Sequence, residues 1–428
     1  MKLLCKKDLT DKYLIDNSWK DFFLSEDDYS DDYYRELRIP ELKNRTTFVA
    51  RDLLEISIFV YGADRTISRE KEGIDCWKRE IELNIPVRNI VLWQNNVGLL
   101  KKILDFLSGD VWNIQFRPYE VDIKKEIETP RLDLTNDVFS HIDSLCMLSG
   151  GLDSFIGAID LLERGKNPLF ISLHSRGKSS LPVQKHLQQC LATKYSLKDT
   201  NFKSFYSAAT NGCEDTMRTR SFMFFSHAIA CASMFGRSVP LYIPENGFIS
   251  INIPLTFSRI GSSSTRTTHP FYMNNFQTLL NNINIHVILT NPYQFSTKGE
   301  MISSCKNLDF LKLHINSTVS CSHPEAGRWG KKSPKQCGCC YPCTIRRAAI
   351  LAAGIVDSSE YHNLDYMQNS AAKENMISYK YAIFSKFREN PLFTVQRSGT
   401  ISDMKNIDKY ASLYSRGLVE IESFINSL

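Results

Sequence analysis

Two rhythms of apolar and polar residues succeed each other along the 428-residue chain. In the first, residues 51–61 (RDLLEISIFVY) alternate in part between apolar and polar positions, as do 81–87 (IELNIPV) and 111–116. A period of two marks a half-buried strand. Residues 98–107 repeat instead at helical spacing and stop at the turn Ser108-Gly109-Asp110. These elements predict a small α+β domain over residues 1–135, with a mostly antiparallel sheet. Trp77, Trp93, Trp112 and Phe116 are its expected core, and a stacking surface is the alternative use of the same rings. The stretch 64–78 carries charges of both signs and reads as a solvated loop. Residues 126–137, polar and containing Pro130, read as a linker.

From residue 142 the rhythm changes. Short apolar runs at 145–148, 169–173, 239–243 and 285–289 read as buried strands. Between them, 155–162, 181–194 and 221–235 carry helical spacing, and the first of these stops at Arg164-Gly165. Strands alternating with helices predict an α/β fold: a doubly wound parallel sheet with helices on both faces. This unit is expected over residues 136–356, and a helical segment with amphipathic pieces such as 407–413 over 357–428.

A hydrophobic share of 43% and a charged share of 23% fit a folded globular protein and exclude wholesale disorder. The formal charge of +5 is too weak to argue for nucleic acid. No apolar run is long enough to span a bilayer, and residues 1–21 have no signal-peptide core. The expected location is therefore the cytosol, where the 12 cysteines stay reduced and clustered ones read as metal ligands.

The sharpest motif is Ser149-Gly150-Gly151-Leu152-Asp153-Ser154, between a predicted strand and a predicted helix. Two adjacent glycines let the backbone turn tightly and bring N–H groups to a phosphate. The helix behind adds its positive end. Ser149 and Ser154 offer hydroxyls, and Asp153 either holds a Mg²⁺ or fixes the loop through N–H bonds. A plain strand-to-helix turn with an Asp cap is the alternative. The Gly-Lys-Ser/Thr ending of a Walker A loop is missing. The motif resembles the PP-loop of ATP-pyrophosphatases, which transfer AMP and release pyrophosphate.

The second motif is Cys321 followed by Cys337-Gly338-Cys339-Cys340-Tyr341-Pro342-Cys343. Two residues separate Cys337 from Cys340 and Cys340 from Cys343, and Cys321 closes a fourth corner across a Gly/Pro/Lys-rich loop. Such spacing wraps a tetrahedral ion, so a closed structural Zn²⁺ site is expected, with Cys339 spare. An iron–sulfur centre or a metal-free thiol cluster is the alternative. His323 could replace one cysteine but is not needed.

Together these residues resemble the QueC family, the 7-cyano-7-deazaguanine synthases, with their SGGxDS loop and CGxCxxCxxR tail. Here that tail is residues 337–346, ending at Arg346. Arg220-Ser221 is similar to the family's Arg-Asn, and Thr297-Lys298-Gly299-Glu300 to its Thr-Lys-x-Glu. The resemblance covers about residues 142–355 and implies the PP-loop/HUP-like adenine nucleotide hydrolase fold. Two family segments are replaced, by Leu173-His174-Ser175-Arg176-Gly177 and by Thr265-Arg266-Thr267-Thr268-His269-Pro270. The added N-terminal domain and C-terminal tail resemble the QatC-like branch, whose members belong to the Qat antiphage systems.

The resemblance implies ATP-dependent adenylation of a 7-deazaguanine carboxylate, with attack by an amine on the activated acyl group. The acceptor is ammonia in the synthase and a partner protein in the defence setting. By charge, Lys298 and Arg220 are the candidates to neutralise departing pyrophosphate, with Arg176 and Lys178 within reach. Arg266 and His269 are candidates to orient a carboxylate or move a proton, and Glu245 and Asn246 to meet a purine-like edge. Surface cations and a lid loop are the plain alternatives. The N-terminal domain is expected to dock a protein partner, and neither nucleic acid nor membrane is an expected partner. A synthase proper, a tRNA-modifying PP-loop enzyme and a non-catalytic ATP-binding scaffold are the competing functions.

Overall fold

A computed structural model describes residues 1–24, 28–31, 46–119, 140–174, 180–255, 266–326, 335–385 and 389–428. The predicted linker 126–137, together with Arg176 and Lys178, lies outside the described residues. The chain opens with β1 (Lys2–Lys6), β2 (Trp19–Phe23), β3 (Tyr29–Asp31) and helix α1 (Phe48–Thr66). It continues through β4 (Gly73–Ile74), β5 (Lys78–Val87), α2 (Ile90–Ser108) and β6 (Val111–Pro118).

Two expectations for this region are corrected. Residues 51–61 lie within α1 and are not a strand. Every residue from Ala50 to Asp64 is buried, so the helix has no solvent face to print a 3.6-residue period on the sequence. The legible signal is its cap: Thr47 Oγ1 accepts from the Ala50 N–H at 3.3 Å. The sheet is also parallel where an antiparallel one was expected. β1 pairs parallel with β2 and β5, and β5 with β6, while only the two-residue β4 is antiparallel to β5. The 19-residue α2 joins β5 to β6, and a crossover of that length is what parallel neighbours require.

Trp93, Trp112 and Phe116 are core residues, but Trp77 is 41% exposed, with the Arg218 guanidinium over its ring at 4.7 Å. The stretch 64–78 is not wholly solvated either. Asp64 and Arg69 are buried and join Arg79 and Asp110 in one ion network. Asp110 accepts from Arg69 Nη1 and from Arg79 Nη2, both at 2.7 Å, and Asp64 pairs with Arg79. Burial alone would push the Asp110 carboxyl up, but the two guanidiniums more than offset it and hold it below the usual carboxylate range. Opposite charges close in sequence have folded inward onto each other, where a buried pair needs both members.

The second half runs β7 (Ser144–Met147), α3 (Leu152–Glu163), β8 (Pro168–His174), α4 (Ser180–Tyr195), β9 (Phe202–Ala209), α5 (Arg220–Ser233), β10 (Val239–Tyr242), α6 (Pro270–Asn282) and β11 (Val287–Thr290). The spatial order is β11-β10-β7-β8-β9-β3. The described pairings from β11 to β9 are all parallel, as expected of a doubly wound sheet, and β3 adds to β9 antiparallel. The connection from β7 goes to one side and the return to β10 goes to the other, so a switch point lies between them. Close packing there depends on Gly157, whose missing Cβ would sit 2.2 Å from the Pro244 ring just beyond β10.

The first and second halves share one apolar core, which runs from Leu3 to Val287. Helix α1 packs on α5. Across the same seam, Tyr29 Oη lies 2.7 Å from Ser207 Oγ, and the buried His227 meets Asp31 at 2.9 Å. Asp64 also accepts from the Thr219 hydroxyl at 2.8 Å, tying α1 to the start of α5.

After the sheet come α7 (Lys298–Ser303), α8 (Leu308–His314), α9 (Tyr341–Ala352), α10 (Ser370–Ser385), α11 (Pro391–Ser398) and α12 (Ile407–Asn426). Ile407, Tyr410, Leu413, Tyr414, Leu418 and Ile421 form the buried stripe of α12, which packs on α9 and α11. The expected amphipathic helix is therefore present and longer than its first turns suggested. Among the described residues, no helix is long and apolar enough to cross a membrane.

Candidate phosphate site and metal centre

Open α/β sheets bind ligands beyond the carboxyl ends of their strands, at the switch point. Residues 149–154 leave β7 there, and Glu245 and Asn246 follow β10, so the two segments form the lips of one crevice. Gly150 has φ +91°, a conformation that side-chain-bearing residues rarely adopt. The loop is closed by its own hydroxyls. Ser149 Oγ and Ser154 Oγ lie 3.1 Å apart, the Ser149 N–H donates to Ser154 Oγ at 3.2 Å, and the Gly151 N–H donates to Ser149 Oγ at 3.3 Å. Gly151 is the N-cap of α3, and Leu152 is its first residue. The Leu152 N–H finds Ser320 Oγ at 3.0 Å. Donors at a helix start that lean on hydroxyl oxygens can turn to the oxygens of an anion.

Asp153 does not cap its own loop. Its Oδ2 reaches across the crevice to the Asn246 N–H at 3.1 Å and the Asn246 Nδ2 at 2.7 Å. Its Oδ1 pairs with Lys298 Nζ at 3.0 Å. Asn246 in turn accepts from the Ile249 N–H at 3.0 Å and so fixes the next short helix. This buried Asn is an internal tie here, where a contact to a purine edge was expected.

Lys298 opens α7 inside a capping box made by Thr297 and Glu300. The C-terminal helix α12 holds this turn. Glu420 accepts from the Thr297 hydroxyl and, at 3.3 Å, from the Gly299 N–H, and Arg416 Nε donates to Glu300 at 2.6 Å. Burial pushes the Glu420 carboxyl up. The lysine is 3% exposed, so its ammonium is positioned by packing as well as by charge.

Arg220 heads α5 and donates from Nη2 to the Leu173 carbonyl at 3.1 Å, at the end of β8 and on the same edge of the sheet. Arg266 and His269 have other employment than the one expected from sequence. Arg266 donates to the Phe106 carbonyl at 2.5 Å and lies over that ring, 4.5 Å from its centroid. His269 is 1% exposed, sits 4.9 Å from the Phe106 ring, and caps α6 by accepting the Phe271 N–H at Nδ1, 3.2 Å away. Both brace the first half of the chain against the second. Thr268 between them donates to Glu245, which keeps this turn beside the crevice.

Burial, with the Arg266 guanidinium second, pushes the His269 imidazole down to about 3. Its folded value is below its unfolded one, so the unfolded chain binds the extra proton between pH 6.5 and 3. The contribution is complete above pH 6.5 and is lost as the pH falls through that window. The slope is about 1.4 kcal/mol per pH unit, or roughly 2 kcal/mol between pH 7 and pH 5. His269→Asn keeps a capping oxygen and removes the titration. Urea unfolding at pH 7 and pH 5 should lose that share of its pH dependence in the variant, and equal pH dependence in both proteins would refute the assignment.

The four cysteines converge as predicted. The sulfurs of Cys321, Cys337, Cys340 and Cys343 all lie within 4.8 Å of one another. Cys321 to Cys340 and Cys337 to Cys343 are both 3.8 Å. A tetrahedral ion with Zn–S bonds of about 2.3 Å needs sulfurs about 3.8 Å apart, so the set fits zinc. Backbone N–H groups point at the sulfurs: His323 and Cys337 at Cys321 Sγ (3.3 and 3.2 Å), and Cys340 at Cys337 Sγ (3.4 Å). His323 thus serves through its backbone. Cys339 stays outside the set, donating to the Asn363 carbonyl at 3.6 Å, with burial pushing its thiol up to about 11.

The two sites share a strap. Cys321 directly follows Ser320, which holds the Leu152 N–H, and the Val319 N–H donates to the Gly150 carbonyl at 2.9 Å. Gln336, next to Cys337, bonds the Thr318 carbonyl at 2.9 Å, and the buried Arg346 bonds the Thr318 hydroxyl at 2.7 Å. Ser320, Gln336 and Glu420 were not expected at the site. Only the adjacency of Ser320 to a metal ligand hinted at a role, because hydrogen bonds over such sequence distances leave no periodic trace. No protein-family model matches the chain, and no curated protein matches it.

Proposed function

We propose that this chain is a PP-loop ATP-pyrophosphatase of the QueC-like kind, which adenylates a carboxylate on a 7-deazaguanine-type substrate. The observation that carries this reading is the glycine loop 149–154 at the sheet's switch point, with Lys298 buried against Asp153 beside it. In this reading the loop N–H groups exchange Ser149 and Ser320 hydroxyls for phosphate oxygens. Asp153 positions Lys298 and Asn246, and Lys298 and Arg220 neutralise the charge that gathers on leaving pyrophosphate. Mg²⁺ accompanies ATP and shields the same charge. The four cysteines hold a structural Zn²⁺.

The reaction forms a bond from a carboxylate oxygen to the α-phosphorus and breaks the bond from that phosphorus to the bridging oxygen, so pyrophosphate leaves. An amine nitrogen then attacks the acyl carbon, AMP leaves with the bond electrons, and the amine proton passes to solvent. The acceptor is an amine of a partner protein in antiphage defence, in a cytoplasmic setting. Ammonia, as in a synthase proper, is the alternative outcome of the test. The direct test is product analysis with α- and γ-labelled ATP and 7-carboxy-7-deazaguanine. AMP and pyrophosphate are expected, dependent on the carboxylate. ADP and orthophosphate, or no turnover with or without a candidate protein acceptor, would reject the reading in favour of a kinase-type site or a scaffold.

A further inference from the structure

A second group of metal-ligating side chains lies away from the four cysteines: His186 and Cys190 on α4, and His314 at the end of α8. His186 and Cys190 are four residues apart, so one helix face presents both. His314 approaches from the facing helix, and the three ligand atoms lie within 4.8 Å of one another. Cys190 Sγ is 3.6 Å from His186 Nε2. A tetrahedral ion with bonds of about 2.3 Å to sulfur and about 2.0 Å to nitrogen places those two atoms about 3.5 Å apart, close to the observed separation. The Phe310 ring packs edge-on against His314 at 4.7 Å, which limits how the imidazole can turn. The three side chains line a surface cavity of about 820 Å³, shared with Asn307 and Lys194.

The geometry points to a second, exchangeable transition-metal site formed by His186, Cys190 and His314, with its fourth position open to the cavity. One thiolate and two imidazoles suit zinc and its neighbours and do not suit magnesium or calcium. Three protein ligands with an open position distinguish it from the closed four-cysteine centre. On binding, the Cys190 thiol releases its proton to solvent and both imidazoles bind as neutral ligands.

The site would act on the glycine loop, because it joins two elements that both hold that loop. On α4, two residues before His186, Gln184 donates to the Ser149 carbonyl at 3.1 Å. Beyond His314, the turn Ile315–Ser317 leads directly into Thr318, Val319 and Ser320. A metal bridging α4 to α8 would fix the spacing of these two supports.

The test uses the full-length protein with its four-cysteine site filled, one zinc per chain by elemental analysis. Titration with Co²⁺ should show a second equivalent with a thiolate-to-cobalt charge-transfer band. Cys190→Ala should remove the band, and His314→Ala should weaken binding by at least about 10–100-fold, the loss that even outer-shell changes produce. His186 is exposed and the other two are half-buried, so retention of the first zinc can certify the variants as folded. Absence of a second equivalent at millimolar cobalt, or an unchanged second equivalent in both variants, would overturn the proposal.

Discussion

Asp153→Asn should reduce pyrophosphate release by at least about 10²–10³-fold, the loss typical when one preorganised charge-stabilising donor is displaced. The substitution keeps the shape of the side chain and an oxygen for Asn246, but it removes the charge that holds Lys298. Lys298→Met should lose as much, since it deletes the cation outright. Both should also be less stable, because each leaves a buried charge without its partner, at roughly 3–5 kcal/mol. Stability and activity separate in the double variant. With both charges gone the burial penalty is relieved, so the double variant should be more stable than the sum of the single losses predicts. Its pyrophosphate release should stay as low as in either single variant. Recovery of turnover together with stability would reduce the pair to an internal strut and remove Lys298 from the chemistry.

This expectation differs from what the loop alone suggests. Read as a residue at a helix start, Asp153 would be dispensable to the fold. In the folded chain it is 9% exposed and joins three elements: α3, the segment after β10, and α7. Alanine there would strand the Asn246 N–H, the Asn246 amide and the Lys298 ammonium together, which makes Asp153→Ala a poor probe of catalysis.

The residues that were legible in sequence are those whose chemistry is local. A tight turn from a strand into a helix calls for glycines, and a cysteine cluster shows as cysteines with two residues between them, so the turn at 149–154 and the convergence of Cys337, Cys340 and Cys343 were both legible. The parallel sheet of the second half was legible for a similar reason, since its strands are buried on both faces and read as apolar runs. The failures share a cause of the opposite kind. Helix α1 is buried all round and prints no period, and β9 (FKSFYSAA) is too mixed to stand out. Trp77 turns outward because Arg69 and Arg218 flank it, and the charges of 64–78 turn inward because Arg79 and Asp110 wait for them. Asn246 and His269 are polar residues near a crevice, the pattern of a binding residue. Their partners, Asp153 and Phe106, lie some hundred residues or more away, so only the folded chain reveals that both are ties.

Removal of the zinc proposed for the four-cysteine centre should release the 149–154 loop before it dissolves the sheet. Structural zinc contributes an apparent ~10–16 kcal/mol, comparable with the whole stability of a typical domain. Cys340→Ala should therefore lose zinc and solubility together. Cys321→Ser is the more informative variant, because Cys321 enters the site from the strap and the other three cysteines stay linked through α9. With that corner weakened, the strap 318–320 keeps its ties to Gln336 and Arg346 on one side and to the loop on the other. The Gly150 carbonyl and the Leu152 N–H then lose a fixed partner, and the glycine turn at φ +91° loses its support. Hydrogen exchange at residues 149–154 should speed by at least about tenfold in Cys321→Ser, a loss of at least about 1.4 kcal/mol in local protection. Exchange in β9, which β8 separates from β7, should stay unchanged. Nucleotide affinity should fall with the loop. Cys339→Ser is the matched control: Cys339 stands outside the metal set, so zinc content and loop exchange should match the native chain. Loop exchange that is indifferent to Cys321→Ser while zinc is lost would mean that the four-cysteine centre and the glycine loop are neighbours without being coupled.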